Sequence, residues 1–188
     1  MRIIAGSAKG RRLAAPAGFS IRPTADRAKE ALFSIIISRL PDAVILDLFA
    51  GAGSLGLEAL SRGAKEAIFV DHGKEALALI AANIRACGFT PQQAKLIRHG
   101  LRRGLPKEIT GHFFHVIFLD PPYDQGLAEA TLTLLGQGMP AELIVAEERH
   151  NCRLTARYGN YVCQDKRRYG DTAFWFFTPG LSENRPAR

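Results

Sequence analysis

Two groups of residues in this chain of 188 have the types and spacing to do chemistry. The first is Asp120-Pro121-Pro122-Tyr123, which closes the apolar run Val116-Ile117-Phe118-Leu119. Two consecutive prolines remove two N–H donors and restrict the backbone, leaving the Asp120 carboxylate and the Pro121 carbonyl as acceptors without local competition. Two acceptors beside an aromatic face complement an exocyclic amine on a flat base, which offers two N–H donors and a π surface. Such an amine is a poor nucleophile because its lone pair is delocalised into the ring. Hydrogen bonds from its protons to Asp120 and to the Pro121 carbonyl favour the pyramidal, more nucleophilic form, and Asp120 can take up the released proton directly or through water. Tyr123 would hold the base by stacking, worth about 1–3 kcal/mol. Taken alone the tetrapeptide also reads as an ordinary strand-ending turn, so its position decides its meaning.

The second group is Leu46-Asp47-Leu48-Phe49-Ala50-Gly51-Ala52-Gly53-Ser54-Leu55-Gly56. Gly51, Gly53 and Gly56 spell G-x-G-x-x-G between a strand and a helix, and Asp71 closes the next apolar run twenty residues after Gly51. A nicotinamide dinucleotide is one candidate ligand for this pattern. S-adenosylmethionine is another, carrying an ammonium and a sulfonium where the dinucleotide carries a pyrophosphate. Asp47, four residues before Gly51, suits the cation and repels the anion, which favours the methyl donor. Phe49 in the loop and His72 beside Asp71 are assigned to the same cofactor site.

These residues need a scaffold that brings strand ends together. Short apolar runs at 43–49, 66–71, 95–99, 114–120 and 143–147 alternate with helical patterns at 54–62, 74–87 and 127–136, with a shorter segment near 101–108. Continuous apolar strands separated by helices predict a doubly wound, mostly parallel α/β sheet of the Rossmann-like kind. Residues 154–164 and 172–178 lack a helix between them and predict an antiparallel hairpin on the sheet edge, for seven strands in all. A further helix, with Thr24 as N-cap and Asp26 in its first turn, is expected to run to Leu40, before Pro41. The expected organisation is a basic arm over 1–24 packed on the domain, an α/β domain over 25–178 and a frayed tail over 179–188.

Composition bounds the alternatives. The chain has 47% hydrophobic and 23% charged residues, which excludes a fibrous or unfolded protein. Twenty-five Lys and Arg against 18 Asp and Glu leave a formal charge of +7, which predicts a polyanionic partner. The surplus is concentrated: residues 1–30 hold seven basic residues and two acids, and Arg149, Arg153, Arg157, Lys166, Arg167 and Arg168 face only Asp165, with Tyr158, Tyr161 and Tyr169 interleaved. Lys9, Arg11, Arg12, Arg22, Arg27, Arg167 and Arg168 are the expected RNA contacts. Cys87, Cys152 and Cys163 are widely spaced and odd in number, so neither a disulfide framework nor a metal site is expected. His112 and His115 read as a strand-end pair rather than as ligands. With no signal-peptide pattern or apolar span, a cytoplasmic monomer without a membrane partner is expected.

With both motifs in place, the chain resembles the class I S-adenosylmethionine-dependent methyltransferases, and within them the RsmD-type family that methylates a guanine N2 in 16S ribosomal RNA. The resemblance extends to Arg2-Ile3-Ile4-Ala5-Gly6 with Lys9-Gly10-Arg11, to Arg22-Pro23-Thr24 with Asp26-Arg27 and Glu30-Ala31-Leu32-Phe33, and to Lys166-Arg167-Arg168-Tyr169-Gly170-Asp171-Thr172. It implies that Asp47, Gly51 and Gly53 line the methyl donor, that Asp71 binds its ribose hydroxyls, and that Asp120, Pro121 and Tyr123 hold a guanine extruded from small-subunit RNA or an assembly intermediate. Related enzymes often place an acid after the third strand to bind the adenine amino group, whereas this chain has Arg98-His99-Gly100-Leu101. A DNA adenine-N6 methyltransferase, an NAD-dependent oxidoreductase and a non-catalytic RNA-binding assembly factor are the competing readings.

Overall fold

The computed structural model describes residues 1–15 and 23–180. Arg22, the side chain of Thr24 and the tail beyond Gly180 lie outside the described residues. Eight strands form one sheet: β1 (Val44–Leu48), β2 (Glu66–Asp71), β3 (Ala94–Arg98), β4 (Phe114–Leu119), β5 (Ala141–Arg149), β6 (Arg157–Tyr158), β7 (Tyr161–Tyr169) and β8 (Thr172–Pro179). Their order is β3-β2-β1-β4-β5-β8-β7-β6. The first five are parallel, and β8, β7 and β6 extend the sheet antiparallel.

Strand alternation sorts the apolar residues into two cores. Ile45, Phe69, Val116, Phe118 and Val145 pack beneath the N-terminal arm, α1 (Pro23–Ile35), α2 (Ser54–Ser61) and α3 (Lys74–Cys87). Leu46, Leu48, Val70, Ile117, Leu119 and Ile144 pack beneath α4 (Leu127–Leu135) on the other face. Burial on both faces is why these strands read as unbroken apolar runs.

Several element ends shift by one or two residues, and α1 starts at Pro23, so Thr24 lies within the helix instead of capping it; three segments differ more. Helix α1 stops at Ile35, and a 3-10 turn over Ile37–Arg39 replaces its last turn, because Ile36 leaves the helical region at φ −98° and ψ 7°. The segment near 101–108 is two 3-10 turns, Leu101–Arg103 and Lys107–Ile109. The expected strand at 154–164 is divided: a two-residue β6 is added, giving eight strands rather than seven, and β7 continues to Tyr169 before a turn at Gly170-Asp171. Charge hides that extension in the sequence. Lys166 and Arg168 are exposed edge-strand residues, and the Lys166 ammonium lies 4.1 Å from the Trp175 ring centroid instead of reaching solvent alone.

The N-terminal arm is a small hairpin, with Arg2 bridged to Arg12, and it is fastened to the domain by buried polar groups. Glu58 of α2 is fully buried and accepts the Ile4 and Ala5 N–H groups at 2.8 and 3.0 Å. Its carboxylate also meets Lys29 Nζ at 3.4 Å and Arg62 Nε at 2.8 Å. Lys29 donates to the Arg2 carbonyl and to Ser54 Oγ, so it is consumed inside the fold and adds nothing to the exposed basic surface. Gly6 sits at φ +85°, and a Cβ there would fall 1.7 Å from the Ser61 carbonyl oxygen.

Two substitutions test this attachment. Glu58→Ala leaves Lys29 buried without its partner and is expected to cost about 3–5 kcal/mol in urea unfolding. Gly6→Ala is expected to unseat the arm, seen as faster proteolytic cleavage near the N-terminus with the rest of the domain resistant.

Candidate active site

The sheet changes direction of winding at β1, which lies between β2 and β4, and ligands of such sheets bind beyond the carboxyl ends of the strands at that point. Leu48 is in register with Leu119 of β4, which is in register with Ala146 of β5. One step further along each chain come Phe49, Asp120 and Glu147, so the glycine loop and the D-P-P-Y segment leave the sheet side by side.

The glycines have separate tasks. Gly51 and Gly53 adopt φ of +57° and +77°, and a Cβ on Gly51 would meet only the Phe49 carbonyl oxygen at 3.9 Å, which leaves that side of the backbone open to a ligand. A Cβ on Gly56 would lie 2.4 Å from the Phe69 ring, so this glycine lets α2 pack directly on β2. Phe49 itself has φ +59° and packs on the core beneath α4.

Asp47 is 2% exposed, and its Oδ2 accepts the Gly56 N–H at 2.8 Å. The side chain thus lies behind the loop, braced against the start of α2. Burial, helped by nearby Asp71, pushes its carboxyl up to about 7. Asp71 accepts the Gly51 N–H at 2.9 Å through Oδ2 and the Gly73 N–H at 2.8 Å through Oδ1, tying the loops after β1 and β2 together. Each oxygen retains a second lone pair for a further donor. His72 stands at the rim, its side chain 79% exposed, with Nδ1 3.5 Å from Asp71 Oδ1. At the end of β3, Arg98 donates to the His72 carbonyl, and just beyond it the His99 ring contacts the Gly104 carbonyl, 3.0 Å from Nε2.

Asp120 receives no hydrogen bond from a protein group among the described residues. Its carboxyl is held well above the usual range, first by burial and then by the negative charges of Glu147, Asp47 and Glu148. Tyr123 donates its hydroxyl to Glu147 Oε1 at 2.7 Å and contacts Thr172 Oγ1 at 3.0 Å. The Arg149 guanidinium covers the Tyr123 ring at 5.6 Å from the centroid and is itself held by Asp124 at 2.7 Å. Glu147, Glu148, Arg149 and Thr172 were not among the sequence candidates for this site. Glu147 carried the same signal as Asp71 and Asp120, an acid closing an apolar strand.

The expected RNA contacts fall in two places. Lys9, Arg11, Arg12 and Arg27 are exposed on the arm and α1, and Arg167 and Arg168 are exposed on β7. Arg167 is paired with Asp165 at 2.7 Å. Among the described residues no group of three or more His, Cys, Asp and Glu could hold a metal, and no helix is long and apolar enough to cross a membrane.

An acid whose folded-state affinity for protons is raised keeps its proton where the unfolded chain has lost it, so the folded state loses stability as pH rises. For Asp47 this loss accumulates between about 4, the unfolded value, and about 7. Asp47→Asn is therefore expected to raise Tm at pH 8 by about 5 °C, with the gain vanishing near pH 4 in a calorimetric pH series.

Known proteins share the sequence and the fold of this chain. A profile described as "Conserved hypothetical protein 95" matches residues 1–178. The Bacillus subtilis protein YlbH is 42% identical over 178 residues, covering 92% of this chain and 95% of that one. Ribosomal RNA small subunit methyltransferase D of Haemophilus influenzae is 38% identical over 135 residues, 72% of this chain and 70% of that one. The solved structure of yhhF from Escherichia coli superposes with TM-score 0.81 at 30% identity, covering 97% and 99% of the two chains. The chain therefore belongs to the RsmD-type family of class I rRNA methyltransferases.

Proposed function

We propose that this protein transfers a methyl group from S-adenosylmethionine to the exocyclic N2 amine of a guanine in small-subunit ribosomal RNA, acting on a base flipped out of its helix. The observation that carries the reading is the convergence of Asp47, Asp71, Asp120 and Glu147 at the carboxyl ends of adjacent strands, with Tyr123 beside them. Acids gathered around one crevice favour a cationic ligand over a pyrophosphate, because a positive charge stabilises their ionised forms and an anion opposes them, which supports the methyl donor over a dinucleotide. The open face of Gly51 and the remaining lone pairs of Asp71 fit an adenosyl group whose ribose hydroxyls donate to that carboxylate.

When bound, S-adenosylmethionine supplies an electrophilic methyl on a sulfonium. Asp120 and the Pro121 carbonyl accept hydrogen bonds from the two N–H groups of the base amine and turn its lone pair out of conjugation. Transfer to N2 would leave a neutral thioether as the departing group, and Asp120, directly or through water, would take up the proton that N2 loses. A carboxylate with raised proton affinity is the better acceptor for that proton. Extrusion of the base costs a few kcal/mol, which contacts elsewhere on the RNA must supply. The exposed Lys9, Arg11, Arg12, Arg27, Arg167 and Arg168 are the proposed phosphate contacts.

Labelled S-adenosylmethionine supplied with small subunits lacking the modification should place label on one guanine N2. Label on adenine, on DNA or nowhere overturns the proposal. Asp120→Ala is expected to lower transfer at least 100-fold while RNA affinity changes less than about twofold. That affinity should weaken steeply with added salt, because phosphate contacts release counterions.

A further inference from the structure

We infer that Glu147 is a positioning residue for this reaction: together with Thr172 it locks the Tyr123 ring as a platform with one free face. The inference rests on the proposed methyl transfer to a flipped base and adds to it the group that orients the base.

A tyrosine at the end of a flexible turn is a poor stacking surface, because rotation about its side-chain bonds sweeps the ring through several orientations. Here the ring is fixed at both ends. Its Cβ end follows the stiff Pro121-Pro122 pair, and its hydroxyl donates to Glu147 Oε1 at 2.7 Å and contacts Thr172 Oγ1 at 3.0 Å. The two tethers come from different strands, β5 and β8, which are directly paired, with Glu147 in register with Phe174 and Arg149 with Thr172. The anchor is therefore part of the sheet rather than of the loop. Arg149, from the same end of β5, lies over one face of the ring and is held there by Asp124. With that face covered, a base can stack only on the other.

Placement of a carboxylate beside Asp120 has an electrostatic cost that a simple structural anchor would avoid, since a neutral acceptor could also receive the Tyr123 hydroxyl. That neighbour raises the proton affinity of Asp120, as burial does. Glu147 thus holds the platform and adds to the field at the group that accepts the amine protons. It touches neither the base nor the donor in this reading, so its effect on the reaction is exerted through Tyr123 and Asp120.

The test is steady-state methyl transfer to small-subunit RNA by the full chain. Glu147→Ala should lower kcat/KM for RNA about 10- to 100-fold, with donor affinity, measured by titration calorimetry, within about twofold. Glu147→Gln, which keeps an acceptor for the Tyr123 hydroxyl, should recover most of the loss and shift the ascending limb of the kcat pH profile to lower pH. Tyr123→Phe, which loses the same hydrogen bond, should resemble Glu147→Ala, and the double variant should be no worse than about threefold below either single one. Thr172→Val should give a smaller loss in the same direction, and with Tyr123→Phe it tests the platform even where Glu147→Ala does not fold. Unchanged activity in Tyr123→Phe and Thr172→Val, or single losses that multiply in the double variant, would overturn the inference. Absence of transfer by the unaltered protein would instead overturn the proposed function.

Discussion

Carboxylates brought together out of water repel one another and lose hydration, and this protein gathers several at one edge of its sheet. Asp47, Asp120, Glu147 and Glu148 all hold their protons more tightly than free acids do, in each case chiefly because they are buried. The fold manages the burden by giving most of them a donor: Gly56 N–H for Asp47, Tyr123 O–H for Glu147 and Arg149 N–H for Glu148. Asp120 alone of these four has none among the described residues. An acceptor left open in a field of like charge is poised for N–H groups and for positive charge, and much of the surrounding architecture serves to hold it so.

That arrangement demands a rigid frame, and the parallel sheet supplies it. Residues at one level of β1, β4 and β5 are locked in register by backbone hydrogen bonds, so Phe49, Asp120 and Glu147 cannot drift apart without breaking the ladder. The antiparallel β8 then brings Thr172 back to the same edge, where it meets the Tyr123 hydroxyl. The hairpin at the end of the chain is in this sense part of the site, although it lies far from the glycine loop in sequence.

The arm obeys the opposite electrostatic logic. Glu58 is as deeply buried as any acid in the protein, yet two N–H groups, an ammonium and a guanidinium surround it. Asn83 adds a second clamp, accepting the Ala14 N–H and donating to the Ala14 and Ala52 carbonyls, so the arm is joined to the glycine loop by one side chain. Lys29 makes a parallel link from the Arg2 carbonyl to Ser54, the first residue of α2. The basic surface proposed for RNA is thereby carried on the same polar framework as the proposed donor loop.

Much of this was written locally. Apolar runs announced β1, β2 and β4, terminal acids marked the carboxyl edge of β2 and β4, and the glycine spacing announced the loop, because strand burial and backbone approach each require particular residue types at fixed intervals. Helix α3 was legible to the residue, since its apolar period ends at Gly88 in the left-handed conformation that glycine favours. Strand β7 was not, because an edge strand can carry Lys166, Arg167 and Arg168 without an apolar alternation to mark it. Composition likewise could not separate the buried Lys29 from its exposed neighbours. Sequence alone determined the kind of sheet, the two motifs and the sign of the surface charge, all properties of short segments. Which acids share one field, which group covers the Tyr123 ring and which charges are spent within the fold were decided only by tertiary structure, because those depend on distances between residues remote in the chain.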